Sequence, residues 1–137
     1  MRIVTSLYMA LLIVAPALAQ DEATIKLHRA QSLAAQGDHV RAAEFYRQIM
    51  AHDSPVNVYR GFIGALLMAG AQEEALRVAA EALQLYPQNA SLQRTAAGVY
   101  SSQGQYSAAI GSLRRSLELE PDHPGAYANI GGLFTAV

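Results

Sequence analysis

Apolar residues recur along this chain at every third or fourth position, break at short polar or glycine-bearing segments, and resume in the same spacing. That period lays an apolar stripe along one side of a helix, so the pattern predicts helices joined by tight turns. From Ala23 the stripe is Leu27, Ala30, Leu33 and Ala34, and Gly37-Asp38 closes it. The next block, His39 to Met50, turns Ala42, Ala43, Phe45, Tyr46 and Ile49 toward neighbours. Ser54-Pro55 predicts a fresh start, with serine as cap and proline in the first turn, where its missing N–H leaves no donor unpaired. A second pair of blocks carries Tyr59, Phe62, Ile63, Leu66 and Leu67, turns at Gly70, and continues through Ala75, Leu76, Ala79, Ala82 and Leu83 to Pro87. A third pair, with Asn89 as its cap, has Ala97 and Tyr100, turns at Gly104, and runs through Tyr106, Ala109, Ile110, Leu113 and Leu117 to Pro121. Pro124 opens a last block, one helix long, containing Tyr127, Ile130, Leu133 and Phe134.

These blocks are copies of one another. Gly37, Gly70 and Gly104 are separated by 33 and then 34 residues, and the same steps separate Ala42, Ala75 and Ala109, then Met50, Leu83 and Leu117. The column Leu33, Leu66, Tyr100 and Phe134 reaches the fourth copy. Self-similarity at about 34 residues marks a helix-turn-helix solenoid. Glycine suits the left-handed position that closes a helix, and Asp38 can cap the amides that follow it. The alanine column belongs where two helices cross about 8 to 10 Å apart, and the larger column fills the space between successive hairpins.

At these residues the chain resembles the tetratricopeptide repeat family. Tyr127, Ile130-Gly131 and Phe134 match the family's first-helix signature most closely; its small residue appears as Ala30, Ile63, Ala97 and Gly131, and its terminating proline as Pro87 and Pro121. Ile63 is large for that slot, and Lys26 and Gln93 stand where the family has a leading aromatic. The resemblance implies an all-α fold, a right-handed α-solenoid of three full repeats (23–55, 56–89 and 90–123) and the first helix of a fourth (124–137). It also implies a concave face, lined by first helices, that holds an extended peptide or a partner helix. Carried over by register, that groove takes Leu27, Gln31 and Ala34, then Asn57, Arg60, Gly64, Leu67 and Met68, then Ser91, Arg94, Gly98, Ser101 and Ser102, and finally Ala128 and Thr135. Gln31, Asn57, Arg60, Leu67, Met68, Arg94 and Ser101 are its candidate contact residues. Gly64, Gly98 and Gly132 form a smooth row along it, and Arg60 and Arg94, 34 residues apart, could grip a carboxylate or main-chain carbonyls with paired N–H donors. The lysine and asparagine by which some members clamp a terminal carboxylate are replaced here by Leu27 and Gln31, so the resemblance does not imply recognition of chaperone tails.

Ahead of the repeats, residues 1–19 carry one positive charge at Arg2, an uncharged apolar run, Pro16, and Ala17-Leu18-Ala19. This is the pattern of a secretory signal peptide with cleavage expected between Ala19 and Gln20. A retained anchor needs about 20 apolar residues, and the abrupt change at Gln20-Asp21-Glu22 argues against it. The expectation is export to the periplasm, with no membrane span after cleavage.

Composition narrows the function. Of 10 basic residues the leader removes only Arg2, leaving 9 against 11 acidic ones, a balance that disfavours nucleic acid as a partner. The chain has 0 cysteines, which excludes disulfides, thiol catalysis and zinc-thiolate sites. His28, His39, His52 and His123 lack the spacing of metal ligands, and neither a nucleophile elbow nor a phosphate-cradling or dinucleotide glycine loop occurs. Glu73-Glu74 reads as a solvated pair favouring the positive end of a helix dipole. No catalytic residue, cofactor or metal is expected. From Gly125 to Val137 the chain has no charge, which leaves an apolar end able to dock on the third repeat, continue into a longer array, or meet another molecule, including a second copy. The leading reading is a non-enzymatic adaptor of the bacterial envelope; the alternative is the repeat region of a larger envelope enzyme or of an export or secretion component.

Overall fold

The computed structural model describes residues 21–136; the signal-peptide segment and Val137 lie outside the described residues. Seven helices and no strand are found there: α1 over residues 21–35, α2 His39–Ile49, α3 Val56–Met68, α4 Gln72–Leu85, α5 Ala90–Ser102, α6 Tyr106–Leu119 and α7 Pro124–Ala136. They run as three helical hairpins followed by a single helix. Each helix from α2 onward packs on the next in sequence, and α3 also packs on α5.

The hairpin turns form for the reasons the period suggests. Gly37, Gly70 and Gly104 have φ of +84°, +79° and +70°, a region that costs any residue with a Cβ. The N–H two residues before α2, α4 and α6 have closed their turns on the preceding helix: Asp38 N donates to Leu33 O, Ala71 N to Leu66 O and Gln105 N to Tyr100 O. Asp38 then caps α2 by accepting from Arg41 N at 3.2 Å, and Asn89 caps α5 by accepting from Leu92 N at 2.9 Å. Past each turn, Ala42, Ala75 and Ala109 are fully buried at the crossing of the two helices.

Two sequence expectations fail locally. Ser54 does not cap α3: its hydroxyl accepts from Ala51 N at 2.8 Å, inside the preceding turn, and Pro55 takes the cap position with no side-chain bond. The serine is committed because its carbonyl also accepts from the Tyr86 hydroxyl at 2.9 Å, which ties the α2–α3 loop to the end of α4. Glu74, for its part, is no free capping charge. It receives both Arg47 Nε at 3.0 Å and Arg47 Nη2 at 2.8 Å, and the same guanidinium lies 5.7 Å from the centroid of the Phe62 ring. This joins α2, α3 and α4 at one corner.

The largest core runs through α1 to α5 around Tyr59, Ile63, Leu66, Leu92 and Val99, all fully buried. Ile63 fits its slot without exposure. A neighbouring glycine makes the room that sequence could not foresee. Tyr46, stacked on Phe62 with ring centroids 6.2 Å apart, lies against Gly61, where a Cβ would collide with the phenol ring. Tyr59 directs its hydroxyl at Glu81 (3.0 Å) and the His52 carbonyl (3.1 Å), and burial, reinforced by the Glu81 carboxylate, pushes its pKa up to about 12. A second, smaller core of Ala97, Ala109, Leu113 and Ala126 serves α5 to α7. Tyr100 touches both.

Replacing Ala75 with leucine forces the α3–α4 crossing apart, and chemical denaturation should show a loss of about 1 to 3 kcal/mol; Ser107→Leu, at an exposed site, should be near neutral. Glu74→Gln tests the Arg47 pair. That hydrogen bond, then the charge of Arg47 and Arg77, outweighs partial burial and holds the Glu74 carboxyl below its usual 4.5. A depressed carboxylate stabilises the fold above its unfolded value, and that stability disappears as pH falls through the folded value. Melting curves should therefore show the variant weaker by about 0.5 to 1 kcal/mol at neutral pH, with the gap closing as the pH is lowered below the ordinary carboxylate value.

Candidate functional site

First helices supply the walls of the one large hollow near the candidate groove, and their small residues explain why it is there. Where α3 and α5 meet they pack; no comparable packing joins α5 to α7. Between α5 and α7 lies a cavity of about 630 Å³. Its α5 wall presents Arg94, Gly98, Ser101 and Ser102, its α7 wall Ala128, Asn129 and Gly132, and Tyr106 stands at the start of α6. Ala97 and Leu113, 4% and 1% exposed, make an apolar floor.

The glycines are not there to fit the fold. A Cβ at Gly98 or Gly132 would meet nothing within 4 Å, and the same is true of Gly64 on α3. All three sit in helix interiors with ordinary helical backbone, where glycine is weaker than alanine by about 0.5 to 1 kcal/mol. Their effect is to leave open space.

The polar rim is mostly uncommitted. Arg94 Nη1 donates to Glu120 Oε2 at 2.7 Å, so its charge is met from the end of α6 while Nη2 and Nε stay unengaged. Ser102 Oγ donates back to Val99 O at 2.7 Å. Among the described residues, Ser101 and Asn129 make no side-chain hydrogen bond. The lining contains no His, Lys, Asp or Glu. It can offer hydrogen bonds around an apolar floor; it holds no acid–base pair.

Of the candidate contact residues, Arg94 and Ser101 meet in this cavity. Gln31, Asn57, Arg60, Leu67 and Met68 do not line it: Gln31, Asn57 and Arg60 are exposed on α1 and α3, Leu67 packs on the large core, and Met68 is 69% exposed. The paired arginine grip does not form as expected, because Arg94 is held by Glu120 while Arg60, among the described residues, has no partner. Asn129 and Tyr106 escaped sequence reasoning. Asn129 adjoins Ala128, already placed on the groove, and a helical arc one residue wider would have included it.

The pattern of helices, turns and alanines finds its match among known sequences. Two family models described as tetratricopeptide repeat match residues 10–55 and 66–130. The chain belongs to the tetratricopeptide repeat family. No curated protein matches it. Solved structures of the same fold include MamA (residues 41 to the end) from Desulfovibrio magneticus RS-1, with a TM-score of 0.75 at 16% identity over 83% of this chain and 65% of that one. The TPR domain of Arabidopsis OM64 gives 0.75 at 15% identity over 85% of this chain and 98% of that domain. The first TPR of Spaghetti (RPAP3), bound to the HSP90 peptide SRMEEVD, gives 0.75 at 19% over 85% and 93%. This chain thus spans less than two thirds of the MamA segment and nearly all of the OM64 domain. Among the described residues no helix is long and apolar enough to cross a membrane.

If the tetratricopeptide glycines in the cavity carry no packing role, Gly98→Ala should raise stability in urea by about 0.5 to 1 kcal/mol through lower unfolded-state entropy. A loss of stability would show that the position is packed after all.

Proposed function

We propose that the chain is a non-enzymatic adaptor of the bacterial envelope, exported by its leader, that holds an extended segment of a partner protein in the groove between its first helices. The observation that carries this is the cavity between α5 and α7, open and glycine-walled, with uncommitted hydrogen-bonding groups at Arg94, Ser101 and Asn129 around an apolar floor. Such a site suits a polypeptide main chain, whose amides and carbonyls match those groups and which needs the close approach that Gly98 and Gly132 allow. Because Glu120 already answers the Arg94 charge, the ligand is neutral at this point rather than strongly acidic. The peptides seen on the RPAP3 repeats, SRMEEVD and SGPTIEEVD, support peptide holding as a use of this fold; their acidic ends are not what this cavity is built for. The exposed Asn57, Arg60 and Met68 on α3 extend the same row toward the N-terminal end.

The alternative, a repeat region serving a larger envelope enzyme or export component, draws on the same groove and on the shorter span of this chain relative to MamA. Photo-crosslinking from a probe at Ser101 in periplasmic extract should trap a protein through a short segment. Gly98→Leu, which fills the cavity, should abolish the product with the helical signal intact, and Arg60→Ala with Arg94→Ala should reduce it. Trapping that survives the leucine would place the partner elsewhere.

A further inference from the structure

On α3, Tyr59, Ile63 and Leu66 lie in the buried core where α4 packs, each fully buried. On α5 the same positions are Gln93, Ala97 and Tyr100, all buried or half-buried, with α6 packed alongside. On α7 they are Tyr127, Gly131 and Phe134, and here Tyr127 is 57% and Phe134 58% exposed. Phe134 therefore does not fill an inter-hairpin space as Leu33 and Leu66 do, and Tyr127 does not dock on the third repeat; Ile130 alone of that expected trio packs on the second core. The repeat states what belongs on such a face: a helix running antiparallel to it and crossing at the small residue.

α7 answers that description itself. It is uncharged, so two copies meet with no like-charge contact. Its exposed stripe is symmetric about the Ile130-Gly131 bond, because Tyr127 lies as far before that bond as Phe134 lies after it. A two-fold contact requires that residue i of one copy meet residue j of the other and the reverse. An antiparallel crossing at Gly131 meets this condition, setting Tyr127 of each copy against Phe134 of the other. At the crossing a Cβ on Gly131 would meet nothing within 4 Å, so the backbones are free to come close.

We infer that two copies of this chain associate through α7, antiparallel, with Gly131 at the crossing and the two aromatics interleaved on either side. One helix per copy makes a small contact, at the weak end of specific interfaces. The groove stays free, since Ala128 and Gly132 face the cavity from another side of the helix.

The test uses the protein expressed with its leader and purified as the cell leaves it. Sedimentation across a concentration series should show a monomer–dimer equilibrium, and Phe134→Asp, at an exposed site that folding does not need, should weaken it at least tenfold with an unchanged helical spectrum. The register is checked by cysteine, since the chain has none of its own. Tyr127→Cys and Phe134→Cys proteins mixed together should oxidise to crosslinked dimers far more readily than either alone. A monomer at every concentration, a dimer indifferent to Phe134→Asp, or equal crosslinking in the single-variant samples would overturn the inference.

Discussion

The fold depends on how closely two helices can cross within each hairpin. Ala42, Ala75 and Ala109 have no exposed surface at that crossing, and a methyl group is all the space allows. The turn glycines and their positive φ bring the second helix back at the angle that makes the crossing possible. Once that distance is fixed, the flank of each hairpin is fixed too, and the next hairpin lands on it. Ser116, which takes the place of Ala82 one repeat later, shows how strict the size limit is. It is completely buried, and its hydroxyl is satisfied by donating to Leu113 O within its own helix.

Polar contacts then pin successive hairpins at their edges. Arg47 reaches Glu74, Tyr86 reaches the Ser54 carbonyl, Gln103 reaches the Gln72 carbonyl at 2.9 Å, and Arg115 reaches Gln88 at 3.0 Å. Each links one hairpin to its neighbour near a turn, away from the apolar centre, where desolvation would weigh against it. The cavity arises from the same scheme with one change. Large side chains fill the joint between the first hairpins, whereas α5 and α7 face each other with alanine, glycine and serine. The hollow is a joint left unfilled.

The helices, their glycine turns, the Asp38 and Asn89 caps and the alanine crossings were all legible in the sequence because each is set by residues close along the chain, repeated at a fixed step. What was not legible depends on a residue brought from afar. Ser54 is drawn out of its capping role by Tyr86, Glu74 is claimed by Arg47, and Gly61 makes way for Tyr46, none of which any local pattern announces. Phe134 shows the converse: its column predicts burial, and it is exposed because the helix that would cover it is not among those described. For the candidate site, register placed Arg94 and Ser101 on the right wall. It could not show that Arg94 was already engaged by Glu120, nor that Asn129 completes the rim.

Packing in this molecule is almost wholly between elements adjacent in sequence, with α3 on α5 the longest step among the helix pairs described. No strand has to wait for a distant partner, so the loop-closure entropy met along the folding path stays low. A chain built this way can acquire order progressively while it is still being threaded out of a narrow pore, each hairpin becoming the template for the one behind it.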